Sequence, residues 1–397
     1  MFATIIFWFF LFLLCYTYLL YPGLVQLLSL GKEYNPPDSE QFFKVYILIA
    51  AHNEESVILE KLDSINANDY PPDKVQLYIG SDNSTDGTNS LIEQYLKSSK
   101  YPIHFFVMPS RSGKIGTINY LAEQIRKNHS ISGKDIFIST DANVMFSELT
   151  IRNLSRHFID DKIGLVDSHI RNTKMDSYEV SQSESNYLNR ETKLKHREGL
   201  VFGKLMGAFG GCFAIRANCF LKIPDRLRVD DFFLSMKTLS QGYKAISDPE
   251  AICYEEAGTT FKEEFKRKRR ISSGNFQNMS IFRRYLLPFS SLGFVFFSHK
   301  VLRYIGPFLM LTILISSIYL AYQGHLLMYF ILIAQLLWYI LIPVLDKMCQ
   351  LLGVNILALR HVRYFNYMNL ALLLGFKDYI NGIDSNIWEP TKRITIE

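Results

Sequence analysis

The chain opens on an unbroken apolar run. No Lys, Arg, Asp or Glu precedes Lys32, and "MFATIIFWFFLFLLCYTYLLYPGLVQLLSL" exceeds the ~20 residues that cross a bilayer. With no basic n-region and no small-residue cleavage site after it, the run reads as a retained membrane helix rather than a cleaved signal. A second uncharged stretch runs from Tyr304 to Leu345 and is interrupted by "YQGH", Tyr322 to His325. That interruption is the punctuation of two spans joined by a tight hairpin. "LLPFSSLGFVFFSHK" before it reads as an interfacial helix. "YFNYMNLALLLGF", Tyr364 to Phe376, is short for a span and fits an interfacial or re-entrant segment equally well.

Between these runs the pattern changes to short apolar segments alternating with amphipathic ones. "KVYILIAA", "VQLYIGSD", "IHFFVMP", "DIFISTDA" and "IGLVDSHI" read as strands, and "EESVILEKLDSI" and "INYLAEQIRKN" as helices between them. Repeated β-α units predict an α/β domain with a mostly parallel sheet. The expected organisation is a membrane helix over residues 1–30, an α/β domain over 31–285, and an interfacial helix with two or three membrane helices and a short tail over 286–397. Ligands of open α/β sheets bind beyond the carboxyl ends of the strands. Three polar clusters fall there: "AHNEE", "SDNSTDGT" and "TDANVMF".

Composition agrees with membrane attachment, because 48% hydrophobic and only 20% charged residues is oily for a soluble protein. The net charge of +5 is concentrated locally, notably in "KRKRR", Lys266 to Arg270. Such a run fits positive-inside flanking charge and phosphate binding equally. Nucleic-acid binding is not expected, since no helix-turn-helix, zinc or RNA-recognition pattern accompanies the charge. The five cysteines show no C-x-x-C and no histidine at metal-ligand spacing, and read as reduced, small hydrophobes. A transporter is disfavoured because Tyr304 to Leu345 holds no charged residue and only His325 at its hairpin.

Common nucleotide and hydrolase motifs fail. "SRSGKIGT" has Met108 in place of the first glycine of a phosphate loop and Ile115 in place of its Ser or Thr. No strand runs into G-x-G-x-x-G, and neither G-x-S-x-G nor H-E-x-x-H occurs.

Seven stretches, in order, resemble the inverting family 2 glycosyltransferases over roughly residues 44 to 300. They are "ILIAAHNEE", "SDNSTDGT", "RSGKIGTINYLAE", "STDANVMF", "GAFGGCFAIR", "VDDFFLSMKTLSQGYK" and "CYEEAGTTFKEEFKRKRRISSGN". The resemblance implies a GT-A-like, Rossmann-type mixed sheet flanked by membrane helices, and the cellulose, hyaluronan and poly-N-acetylglucosamine synthases share that superfamily. It implies a nucleotide-diphospho-sugar donor, uridine being the expected base, and a lipid-linked or growing glycan acceptor at the bilayer.

By this resemblance Asp82 meets the base, while Asn53 and Glu54 approach ribose or base. Lys114 meets donor phosphate. Asp141 and Asn143 hold Mg²⁺ or Mn²⁺ in the D-x-D-type turn. Gly210 and Gly211, with Gly207 and Cys212 beside them, form an acceptor wall, Asp230-Asp231 match the E-D motif with Asp231 as base, and Arg267 and Arg270 stabilise the leaving diphosphate. Plain structural alternatives stand beside these roles: an Asx-turn for Asp82, a helix first-turn acid for Glu54, an exposed helix-start lysine for Lys114, an N-cap pair for Asp230 and Asp231, and tight packing for the glycines.

Two departures matter. Asn143 replaces the usual second Asp, so the cation is expected to bind with the donor diphosphate, whose oxygens complete a hard shell. Ile271 replaces the family's Trp, which weighs against a processive synthase that extrudes its polymer. An inactive scaffold of the same fold is the remaining alternative. A cytoplasmic catalytic domain is expected, with the tail "WEPTKR" on a side set by whether Tyr364 to Phe376 spans.

Overall fold

The computed structural model describes residues 1–33, 41–173, 179–256 and 261–383, with residues 179–188 described by backbone alone. The tail "WEPTKR" lies outside the described residues. The chain divides into two compact units, one of residues 1–28, 177–189 and 258–382, the other of 29–176, 190–257 and 383–397.

In chain order the helices are α1 (Phe2–Leu28), α2 (Ile58–Asn66), α3 (Thr88–Tyr95), α4 (Gly113–Asn128), α5 (Thr150–Ser155), α6 (Glu179–Phe202), α7 (Asp230–Ser240), α8 (Phe261–Ile281), α9 (Ser291–Tyr304), α10 (Gly306–Tyr322), α11 (Leu326–Leu351) and α12 (Leu357–Ile380). The strands are β1 (Val45–Ala51), β2 (Val75–Ser81), β3 (Ile103–Val107), β4 (Ile136–Asp141), β5 (Met145–Phe146), β6 (Ile163–Thr173), β7 (Cys212–Arg216) and β8 (Lys244–Glu256).

All eight strands form one sheet in the order β3-β2-β1-β4-β7-β6-β8-β5. The first four are parallel, as β-α repeats require, and β1 is apolar almost throughout because both its faces are covered. Every strand drawn from the sequence is present. The sheet is mixed rather than mostly parallel, because β7 runs antiparallel to both β4 and β6. "CFAIR" is only five residues long, and nothing local announces which distant strands it will join.

Register decides where the polar clusters go. Ala51 of β1 lies beside Ser81 of β2, and Ala50 beside Asp141 of β4. All three clusters therefore leave the sheet at one edge. β7 pairs Cys212 with Thr140, which brings the "GAFGG" loop to that edge too. Beneath it, Ile47, Ile49, Ile58, Leu62, Ile79, Ile138, Val144 and Cys212 pack in one buried core.

In the other unit, α1 and α11 are long and apolar enough to cross a membrane, and α9 and α10 qualify together as one element bent by 62°. Phe7 of α1 packs with Ile313 and Leu320 of α10 and Met328 of α11. The break between α10 and α11 falls at Gln323 to His325, where the hairpin was expected. The segment Tyr364 to Phe376 is part of α12, a helix of 24 residues that is not among those apolar enough to span. It packs closely on α8: a Cβ on Gly375 would stand 2.5 Å from that of Ser272, and Arg269 pairs with Asp378 at 2.5 Å.

Candidate active site

The first two loops are knitted by side-chain to backbone bonds. Asn53, in the left-handed region at φ 54°, accepts from the Thr85 amide through Oδ1 at 2.9 Å. The Glu54 amide donates to Thr88 Oγ1 at 2.9 Å, and His52 Nδ1 lies 2.8 Å from the Asp82 carbonyl oxygen. Glu54 and Asp82 are buried, whereas Asn53 is exposed.

Asp82 does more than close a local turn. Its carboxylate accepts from the Ser112 amide at 2.6 Å and the Gly113 amide at 2.9 Å. It therefore caps the positive end of α4, a helix separated from it by a whole strand. Gly113 adopts φ +73° at that cap, a conformation that side chains resist. Lys114, the next residue, is aimed into the site.

The Lys114 ammonium lies 2.6 Å from Asp141 Oδ1 and 3.8 Å from Asp230 Oδ2, and donates to the Gly210 carbonyl at 3.0 Å. Burial disfavours its charge, but Asp141, Asp230 and Asp231 outweigh that and raise its pKa. Residues from three sequence motifs thus meet at one ammonium. The exposed helix-start alternative for Lys114 is set aside by these contacts.

Asp230 and Asp231 begin α7, with acids in the first turn, where the helix dipole favours negative charge. Neither side chain caps the helix: its N-cap residue is Val229, with no capping side-chain bond. The Phe232 amide donates to Asp231 Oδ1 at 2.6 Å. Burial, then the charge of Asp230, pushes the Asp231 carboxyl up to about 7 against the pull of Lys114. A carboxylate poised near neutrality suits a general base. A Cβ on Gly210 would stand 2.6 Å from Asp231 Oδ2, so the glycine is what allows the loop to approach it.

The Asp141 turn alternates: Ala142 and Val144 enter the core, while Asp141 and Asn143 stay half-buried at the edge. Gly211 is fastened to its start, since its carbonyl accepts from the Asp141 amide at 2.9 Å and Thr140 Oγ1 at 3.0 Å. Among the described residues no three His, Cys, Asp or Glu side chains are grouped to hold a metal ion. Asp141 and Asn143 are nonetheless hard oxygen donors on one turn, and Asp141 already draws a cation, the Lys114 ammonium. That donor set fits a divalent ion whose remaining ligands come from a diphosphate.

Arg267 and Arg270 lie on α8, in the helical unit. Arg267 Nε donates to the buried Glu264 at 2.8 Å, and Lys268 approaches the same carboxylate at 3.3 Å. The five cysteines are free, with Cys212, Cys219 and Cys253 buried.

Two buried charges beside the "GAFGG" loop and one under the Asp141 turn were missed by sequence reasoning. Asp167 accepts from Lys195 Nζ at 2.9 Å and from the Phe209 amide at 2.6 Å, while Lys195 also donates to the Gly207 carbonyl at 3.0 Å; together they brace the "GAFGG" loop. Lys61 is wholly buried under the Asp141 turn. The available signals were an acid inside the strand-like "IGLVDSHI", and a lysine on the apolar stripe Ile58, Leu62 and Ile65.

Comparison with known proteins accords with this geometry. The profile of Glycosyl transferase family 2 matches residues 46–223, and that of Glycosyl transferase family group 2 matches residues 141–342. The chain belongs to the family 2 glycosyltransferases. It is 24% identical over 311 residues to "Probable glycosyltransferase YdaM" of Bacillus subtilis, covering 74% of this chain and 70% of that protein. Its fold is similar to that of the mannosyltransferase PcManGT from Pyrobaculum calidifontis, solved in complex with GDP-Man and Mn2+. The TM-score is 0.69 at 19% identity, over 94% of this chain and 99% of that one. The GT-A-like fold expected from the sequence is thereby shown.

Proposed function

We propose that this glycosyltransferase is held in a membrane by its apolar helices and transfers a sugar, with inversion, from a nucleotide-diphospho-sugar to a lipid-linked or growing glycan. The observation that carries this reading is the convergence of Lys114 on Asp141, Asp230 and the Gly210 carbonyl, beside an Asp231 carboxyl raised to about 7.

In this reading the loops at Asn53, Glu54 and Asp82 receive the nucleoside. Lys114 supplies positive charge for the diphosphate. Asp141 and Asn143 would hold Mg²⁺ or Mn²⁺, which would supply positive charge against the leaving diphosphate. Asp231 takes the proton of the acceptor hydroxyl as that oxygen attacks the anomeric carbon from the face opposite the leaving group. Gly210 and Gly211 leave room for the acceptor close to Asp231.

The donor base is open between uridine, expected from the sequence, and guanosine, which the Pyrobaculum mannosyltransferase binds as GDP-Man. The deciding experiment incubates detergent-solubilised protein with a panel of UDP- and GDP-sugars, Mn²⁺ or Mg²⁺ and extracted lipid-linked glycans, and measures released nucleoside diphosphate and the anomeric configuration of the product. Acceptor-dependent release with inverted product is expected. No release from any donor would sink the proposal and favour an inactive scaffold.

A further inference from the structure

Lys61 is a charged residue in an apolar place. It sits on the face of α2 that carries Ile58, Leu62 and Ile65, and its side chain has no solvent exposure. Burying an ammonium is costly unless it is fully bonded, and apolar replacements of similar volume are often neutral or stabilising. Stability alone therefore gives no reason for a lysine there.

Its partners do. Nζ donates to Thr140 Oγ1 at 2.8 Å and to the Val144 carbonyl, and lies 3.9 Å from the centre of the Phe146 ring. Thr140 is the residue before Asp141, and Val144 the residue after Asn143. One ammonium thus spans the turn from end to end. Thr140 Oγ1, accepting from Lys61, donates onward to the Gly211 carbonyl at 3.0 Å, so the same bond network reaches the loop against which Asp231 rests. The adjoining strand is tied to α2 as well, since the Phe146 amide donates to Ser64 Oγ at 3.1 Å.

We infer that Lys61 is a positioning residue for sugar transfer: its buried ammonium clamps both ends of the Asp141–Asn143 turn and, through Thr140, sets the spacing between that turn and the Gly210–Gly211 loop. This rests on the glycosyl-transfer reading above. Hydrogen bonds to a charged donor are the stronger kind, which suits a clamp that must hold when a cation and a diphosphate pull on Asp141.

The test uses the full chain in detergent and measures binding of UDP and of GDP by calorimetry, with and without Mn²⁺, beside thermal unfolding. Lys61→Met is expected to keep Tm within about 3 °C of the parent or raise it, and to keep metal-free nucleotide affinity. The gain in affinity that Mn²⁺ brings should fall by roughly 10-fold or more, as for other groups that orient metal-binding side chains. Thr140→Val keeps the lysine but loses its first partner, and should show a smaller loss in the same direction. An undiminished Mn²⁺ gain in Lys61→Met overturns the inference. So does a parallel loss of Tm and of metal-free binding, which would make Lys61 a packing element. If Lys61→Met does not fold, an unchanged Mn²⁺ gain in Thr140→Val overturns it. A parent that binds neither nucleotide removes the glycosyl-transfer reading itself, and the inference with it.

Discussion

Lys114 Nζ lies 2.6 Å from Oδ1 of Asp141, an ion pair joining the start of α4 to the end of β4 across the open edge of the sheet. The ammonium balances acids from two motifs that are nearly ninety residues apart in the chain. Its removal should be felt at Asp231 as well, because Lys114 is among the charges that hold that carboxyl down. Lys114→Met is expected to lower kcat/KM by about 10²-fold and to shift the rising limb of the pH–rate profile toward alkaline pH. Lys114→Arg keeps the charge, but its planar fork differs in shape from a point-like ammonium, so its profile should keep the parent midpoint at reduced rate. A profile unmoved in Lys114→Met would separate this lysine from the base.

Asp231 must be ionised to accept a proton, and its carboxyl is raised to about 7 by burial and by Asp230. Activity should therefore rise with pH between about 6 and 8 and then level off. Asp231→Asn should lower turnover by roughly 10² to 10⁴ with donor affinity nearly unchanged. Asp230→Asn should be milder, and a larger loss there would mean that Asp230 is the base.

The same shift predicts an effect on stability. The folded state binds the Asp231 proton more tightly than the unfolded chain, so the parent loses stability as pH rises from about 4 to about 7. Asn carries no such linkage. Asp231→Asn should unfold at a higher temperature than the parent at pH 8, with the difference vanishing near pH 4. Calorimetry at the two pH values decides it.

Asn143 is neutral, and Asp141 is the sole carboxylate of its turn. Chelation should abolish turnover, while Asn143→Asp should retain it and tighten Mn²⁺ binding measured without nucleotide. Full activity in excess chelator would exclude a metal-dependent site.

Gly210 tests the approach of the acceptor loop. A Cβ there would stand 2.6 Å from Asp231 Oδ2, and a displacement of about 1 Å in a reacting group can cost on the order of 10²-fold. Gly210→Ala should lose about that much in kcat, with little change in Tm. Parent-like activity would show that the base has room to move.

The expectation from the sequence that the catalytic domain is cytoplasmic is tested by Ser98→Cys, an exposed position. A membrane-impermeant thiol reagent applied to intact cells should leave it unlabelled, and labelling would reverse the topology.

Much of this protein is written locally. The uncharged run before Lys32 and the break at Gln323 to His325 are visible because helices long and apolar enough to cross a membrane need an uncharged length that few other structures require. The strands ending at Ala51, Ser81 and Asp141 are visible because fully covered parallel strands read as continuous apolar runs. Asn53, Glu54, Asp82, Asp141 and Asn143 fall at or just beyond the ends of those runs, and the resemblance of these stretches to the family 2 glycosyltransferases singles them out. Tertiary structure decided their partners. Asp82 is expected to meet the base, with a local Asx-turn as the plain alternative, and neither reading foresees that its carboxylate accepts from the amides of Ser112 and Gly113. Lys114 is expected to meet donor phosphate, but that Asp141 and Asp230 lie beside its ammonium is not legible in the sequence. β7 could not be foreseen as the antiparallel strand that carries Gly211 to Asp141, because strand pairing depends on register with segments far away. Lys61 reads as a break in an amphipathic pattern, and only the folded chain shows that Thr140 and Val144 are waiting for its ammonium. Periodicity reports what each segment buries, while charge pairing and register depend on what the fold brings alongside.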